Sequence, residues 1–117
     1  MVPPSAAAVV LVRFPFSDLS QTKVRPALVL ANADRGDWIL CQITSNPYGD
    51  PLAMPLSDQD FQVGTLNAPS FARPAKLFTA SADLMVGQVG RLGAAAFRRV
   101  LDRVVSVFRT AEAEAGV

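Results

Sequence analysis

The stretch Lys23-Val24-Arg25-Pro26-Ala27-Leu28-Val29-Leu30-Ala31 decides the fold class. Pro26 biases Arg25 toward extended geometry, and the apolar run from Ala27 to Ala31 suits a strand buried on both faces that follows Arg25 directly. Toward the N-terminus, Val9-Val10-Leu11-Val12-Arg13-Phe14 is short, rich in β-branched residues and closed by Pro15, which predicts a first strand over 8–14. Between the two, Phe16-Ser17-Asp18-Leu19-Ser20-Gln21-Thr22-Lys23 is polar and full of turn formers, hence an exposed loop of the kind that often carries function. Toward the C-terminus, Asn32-Ala33-Asp34-Arg35-Gly36-Asp37 has hairpin composition, and Trp38-Ile39-Leu40-Cys41-Gln42-Ile43-Thr44 returns as a third strand.

Beyond it, Ser45-Asn46-Pro47-Tyr48-Gly49-Asp50-Pro51 is another turn cluster, and Leu52-Ala53-Met54-Pro55-Leu56 suits a short strand that Pro55 confines to an edge or a bulge. Residues 57–69 read as irregular, Ser70 to Phe78 as one or two strands interrupted at Pro74, and Gly87-Gln88-Val89-Gly90-Arg91-Leu92 as a last short strand bent at its glycines. From Gly93 the period changes. Phe97, Val100, Leu101, Val104, Val105 and Phe108 recur at helical spacing, with Arg98, Arg99, Asp102, Arg103 and Arg109 mostly on the opposite face. The expectation is a mainly β chain, a coiled and closed antiparallel sheet over 8–92. A C-terminal helix over 94–110, fraying after Thr110, packs on it, within one domain spanning 1–117.

Composition narrows the chemistry. Half of the 117 residues are apolar and 18% are charged, the balance of a chain with a packed core. The net charge is +1, and residues 1–78 hold six Lys/Arg against six Asp, so a nucleic-acid site has to be local. There is no histidine, which removes Ser-His-Asp triads, His-ligated zinc and paired-histidine RNA hydrolysis; with a single cysteine, no dedicated metal site or cofactor is expected. Cys41 cannot form an intrachain disulfide, so a reducing compartment, the cytoplasm, is the natural setting, and it reads as a buried, inert thiol. The apolar opening Ala6 to Val12 lacks the preceding basic residues of a signal peptide, and no run of about 18 apolar residues predicts a membrane span.

Several pieces stand in an order that resembles the MazF/PemK toxins. Val9-Val10-Leu11-Val12 leads to Phe14-Pro15-Phe16-Ser17-Asp18, then to Lys23-Val24-Arg25-Pro26-Ala27-Leu28-Val29-Leu30. Cys41-Gln42-Ile43-Thr44-Ser45 is similar to that family's third-strand ending, and Ala72-Arg73-Pro74-Ala75-Lys76-Leu77-Phe78-Thr79 to its later arginine-containing strand. The resemblance implies an SH3-like antiparallel barrel of the CcdB/PemK type, a homodimer, and a sequence-selective endoribonuclease (an mRNA interferase) restrained by a cognate antitoxin, an acidic and partly disordered chain. It also implies catalytic roles for Arg25 and Thr44 and a third site position at Arg73. Two departures stand out: Ala6-Ala7-Ala8 where a Gly and an acidic residue usually precede the first strand, and Ala75 where many members have Asp.

The chemistry asks little of the protein. RNA brings its own nucleophile, the 2′-hydroxyl, so an enzyme can cleave it by aligning that oxygen with phosphorus and stabilising the charge that grows on the phosphate, without a metal. Arg25 suits the phosphate through its planar fork, and its pKa above about 12 makes it an electrostatic stabiliser and a poor proton donor. Thr44 and Ser45 offer hydroxyls that donate to a phosphate oxygen or orient the 2′-hydroxyl, and no residue is assigned as the base. A single-stranded substrate is expected, its splayed bases stacking on Phe16 and Tyr48; the alternative for Phe16 is a plug at the barrel end. Arg73, Lys76 and Lys23 complete the candidate RNA contacts, each with the plainer alternative of a solvated charge. A rival reading is a non-catalytic toxin on the same scaffold, like the CcdB toxins that bind DNA gyrase, in which the C-terminal helix dominates binding; a third, prompted by Ala75, is a catalytically impaired binding module.

Overall fold

The computed structural model describes residues 3–15 and 22–116. They form seven strands, β1 (Ala8–Pro15), β2 (Thr22–Asp34), β3 (Asp37–Thr44), β4 (Met54–Leu56), β5 (Phe61–Gly64), β6 (Ser70–Ser81) and β7 (Met85–Leu92), followed by the helix α1 (Ala94–Glu114). All pairings are antiparallel and the strands make one sheet in the order β4-β6-β3-β2-β1-β7-β5. Its two edges, β4 and β5, are consecutive in the chain, linked only by Ser57–Asp60. Six inter-strand spacings would hold the edges of a flat sheet about 29 Å apart. Five Cα steps reach at most about 18 Å, so the sheet has to curl until its edges meet, and the barrel follows from connectivity.

Curling gives the sheet two apolar interiors. Val9, Leu28, Leu30, Cys41, Ile43, Leu56, Ala72 and Leu92 cluster on one face, where Ala96, Val100 and Val104 of α1 cover them. Ala8, Val10, Val12, Ala27, Val29, Leu40, Ala80 and Met85 cluster on the other, with Phe14, Trp38 and Phe78 packed against them. Ala27, Leu28, Val29 and Leu30 are divided between the two, which is why that stretch reads as apolar without alternation. The seam between β5 and β7 is tight: a Cβ at Gly64, whose φ is +68°, would collide with the Val89 carbonyl.

Several bounds differ from the sequence expectation. β2 begins at Thr22, ahead of Arg25, because Pro26 is compatible with extended backbone; the Thr22–Pro26 stretch pairs with β1, and pairing with β3 starts at Ala27. The segment read as irregular contains a 3₁₀ turn at Asp58–Asp60 and β5. β6 is not broken at Pro74. Instead the register passes from Gln42↔Arg73 to Cys41↔Leu77, so Pro74, Ala75 and Lys76 bulge from the ladder and absorb the missing N–H. The helix continues past Thr110 to Glu114, helped by an Arg109–Glu112 ion pair of 3.1 Å. Val105 and Phe108, expected on the packed face, stay 52% and 61% exposed: the buried line of α1 follows Ala96, Val100 and Val104 at a four-residue step, with Phe97 and Leu101 packed partly beside it. Among the described residues, no helix is long and apolar enough to cross a membrane.

Candidate functional site

The register Ala27↔Gln42 sets the beginning of β2 beside the end of β3. Arg25 and Pro26 from β2, Ile43 and Thr44 from β3, and Ser45 just beyond line one surface pocket of about 230 Å³, closed on its far side by Leu66, Asn67, Ala68 and Ser70. Arg25 and Thr44, singled out in the sequence 19 positions apart, thus share a cavity. Arg25 is exposed, and its side chain makes no hydrogen bond or ion pair among the described residues. An arginine in this condition has its full fork available to an anion.

Thr44 is already engaged. Its Oγ1 donates to the Asn46 carbonyl at 2.9 Å and accepts from the Asn46 N–H at 3.1 Å, a local turn that closes the strand end. With its one proton and one lone pair used, the hydroxyl keeps a second lone pair open to a donor. The Asn46 side chain continues the turn by accepting the Tyr48 N–H at 3.0 Å. Tyr48 has φ +54° and is 74% exposed, so the loop holds a large aromatic in a left-handed conformation at the surface. Ser45 is exposed beside it.

Arg73 lies across β3, opposite Gln42, and is not among the residues lining the Arg25 pocket. Its Nε donates to Asp50 Oδ2 at 2.9 Å and its Nη1 to Gln42 Oε1 at 3.2 Å, and only 16% of the side chain is exposed. Asp50 also accepts the Leu52 N–H at 2.9 Å, so one carboxylate ties the 45–53 loop to β6. The Arg73 hydrogen bond, then the Leu52 N–H, hold its carboxyl below the usual carboxylate range. The acidic partner that Arg73 lacks at Ala75 therefore arrives from another loop. Lys76 is exposed on the β6 bulge, and Lys23 is exposed on β2 opposite Phe14. Phe16 lies outside the described residues.

Cys41 is fully buried next to this network. Burial pushes its thiol up to about 12, and the neutral Sγ–H donates to the Arg73 carbonyl that the bulge frees, at 3.1 Å. Among the described residues no three His, Cys, Asp or Glu side chains gather as a metal site. Sequence reading missed Asp50, Gln42 and the wall from Leu66 to Ser70. Asp50 carries the ordinary signature of a turn former, and residues 66–70 enter the site only because the curled sheet returns them to the mouth of β2 and β3.

Residues 5–108 match the family model described as PemK-like, MazF-like toxin of type II toxin-antitoxin system. No curated protein sequence matches the chain. Among solved structures it is similar to a MazE-MazF complex from Deinococcus radiodurans, with 21% identity over 92% of this chain and 97% of that one and a TM-score of 0.75. It also resembles the Mycobacterium tuberculosis toxin MazF-mt6, with 21% identity, coverage of 87% and 96%, and a TM-score of 0.67. A mycobacterial endoribonuclease in complex with its cognate antitoxin superposes with a TM-score of 0.69 at 12% identity, over 92% and 95% of the two chains.

Proposed function

The chain belongs to the PemK-like, MazF-like toxin family of type II toxin-antitoxin systems, and from that premise we propose that it cleaves single-stranded RNA as a metal-independent endoribonuclease. The observation that carries this reading is the pocket that Arg25 and Thr44 both line, where a guanidinium without a partner among the described residues and a hydroxyl with a lone pair to spare share one cavity. In the reaction the 2′-oxygen bonds to phosphorus and the bond from phosphorus to the 5′-oxygen breaks, leaving a 2′,3′-cyclic phosphate and a 5′-hydroxyl. Arg25 acts on the phosphate, where two parallel N–H donors offset the charge that builds in the transition state. Thr44, whose own proton is held by Asn46, accepts from the 2′-hydroxyl and aligns it for attack. The proton of the 2′-hydroxyl passes to solvent water and water returns one to the leaving 5′-oxygen, since none of the lining side chains is basic at neutral pH.

Ser45 in the pocket lining, and the exposed ring of Tyr48 three residues further along the same loop, suit the sugar-phosphate and a stacked base. Lys76, Lys23 and Phe16 remain candidates for outer contacts along the strand, whereas Arg73 serves first as the partner of Asp50. Val105 and Phe108 on α1, with Val63 of β5 62% exposed, leave apolar surface that supports a homodimer; a monomer by sedimentation at micromolar concentration would count against it. A separate acidic antitoxin chain that covers the Arg25 pocket, and action in the cytoplasm on messenger RNA, complete the reading.

Incubating the purified protein with a long single-stranded RNA in EDTA tests it. Site-selective cutting by the wild type, lost in Arg25→Ala and Thr44→Ala, is the expected result. Intact RNA combined with growth inhibition that survives both substitutions would replace this reading with that of a non-catalytic toxin acting through α1.

A further inference from the structure

The wall formed by Leu66, Asn67, Ala68 and Ser70 has two sides. On one is the Arg25 pocket; on the other is a larger cavity of about 470 Å³, bounded by β4, the 3₁₀ turn, β5 and the start of β6. The wall is fixed, since Ser70 is buried and its Oγ donates to the Ala68 carbonyl at 2.9 Å. Two cavities that share lining residues adjoin, which puts the second within reach of a strand seated in the first.

Their chemistry is complementary. The smaller pocket is lined by a cation, Arg25. The larger has no Lys or Arg in its lining and presents a carboxylate, Asp58, in a lining that also holds the aromatic residues Phe61 and Phe71. Asp58 Oδ1 accepts from Thr65 Oγ1 at 2.6 Å, which fixes the carboxylate and leaves Oδ2 open. A carboxylate repels phosphate and accepts N–H groups, and flat apolar rings accept the face of a base. Asn67 lines both cavities, and its carboxamide makes no hydrogen bond among the described residues.

We propose that this larger cavity is a specificity subsite, holding an unpaired nucleobase with an exocyclic amino group next along the strand from the phosphate at Arg25. Asp58 accepts the amino protons, Phe61 and Phe71 pack against the ring, and Asn67 reads the remaining edge. The inference rests on the RNA-cleaving reading above. It adds a recognition site 14 residues beyond Thr44, on strands that carry none of the catalytic candidates.

Asp58 and Asn67 are exposed, so substitutions there leave the fold in place, which a thermal melt verifies. In RNA-end mapping, Asp58→Asn and Asn67→Ala still cut RNA but at other sequences. At one position fixed relative to the cut, the preference for an amino-bearing base falls about tenfold, the discrimination of one lost base contact. With Asp58→Asn it turns toward a carbonyl-bearing base, because an amide can donate. Identical cut-site patterns in wild type and both variants would overturn the subsite while leaving the nuclease intact. Should the wild type cut no RNA, the nuclease reading fails by itself, and a binding arm still decides this one. Fluorescence anisotropy with oligo(dC) and oligo(dU), which lack the 2′-hydroxyl, is expected to favour dC about tenfold in the wild type and not in Asp58→Asn. Equal binding of the two strands by wild type sinks the proposal.

Discussion

The tripeptide Arg-Pro-Ala occurs twice, at 25–27 and at 73–75, on the two strands that flank β3, and the two copies have opposite fates. At the first, the strand runs straight through the proline and Arg25 projects, unpaired, into an open pocket. At the second, the proline starts a bulge, and Arg73 lies mostly buried between Asp50 and Gln42. Local sequence is the same, so what separates them is whether a distant carboxylate reaches the guanidinium. An arginine with its hydrogen bonds satisfied inside the protein holds structure together; one left without a partner beside a hydroxyl is available for chemistry.

Exchanging the two arginines' roles is the sharpest way to break that contrast, and it carries the largest expected effect. Arg25→Ala lowers RNA cleavage about 10²–10³-fold, the usual loss of one donor from a preorganised anion site. Its thermal stability should stay within about 0.5 kcal/mol of wild type, as at other exposed positions. Arg73→Ala is expected to behave the other way, with a clear drop in melting temperature and a smaller change in rate. A result in which Arg73→Ala abolishes cutting at unchanged stability would show that the buried arginine, too, meets the phosphate.

A second test removes the loop's aromatic. Tyr48→Gly releases a left-handed side chain, a gain of about 1–2 kcal/mol, against about 0.5–1 kcal/mol for the added freedom of glycine in the unfolded chain. Stability is therefore unchanged or raised, by about 0–1.5 kcal/mol. If Tyr48 stacks a base, affinity for a single-stranded oligonucleotide falls by about 1–3 kcal/mol, or about 5- to 150-fold. Unchanged affinity by anisotropy would make the exposed ring a bystander.

How much of this was legible in the sequence follows from the same contrast. β1 to β3 and the helix stand out because each is long enough to show its period or its apolar run. β5 does not, since Phe61–Gly64 is four residues long and pairs only at the sheet edge. Pro74 correctly flags an irregularity, but the curled sheet turns it into a bulge in place of a break. Arg25 and Thr44 are marked by the family resemblance, and strand register explains why they meet. Asp50 is beyond such reading: it lies 23 positions from Arg73, inside a cluster of turn residues that each look alike. The Leu66–Ser70 wall has no local signature either, because only barrel closure makes it part of a site. Val105 and Phe108 show the limit of periodicity, which finds an apolar face without saying how far the partner surface extends.

The smallest effect concerns the Asp50 clamp, and pH separates it from everything at Arg25. The folded carboxyl of Asp50 lies below its ordinary value of 3.8, through the hydrogen bond from Arg73 and then that of the Leu52 N–H. The unfolded state therefore binds the proton more readily, so the clamp's stability is fully present above about pH 4. It is lost as the pH falls through the folded value. Asp60 shifts in the same direction: burial opposes ionisation, but the Ser57 N–H and Arg99 outweigh it, so the whole protein has an acid limb with more than one source. Asp50→Asn isolates one of them. Melting curves from pH 6 to pH 3 should show the variant below wild type at the neutral end and the gap closing below pH 4, as the wild-type carboxylate takes up its proton. A gap that stays constant across that range would mean that the Asp50 charge contributes nothing. Arg73 would then be held by Gln42 and packing alone, and the two Arg-Pro-Ala copies would differ in burial without differing in electrostatics.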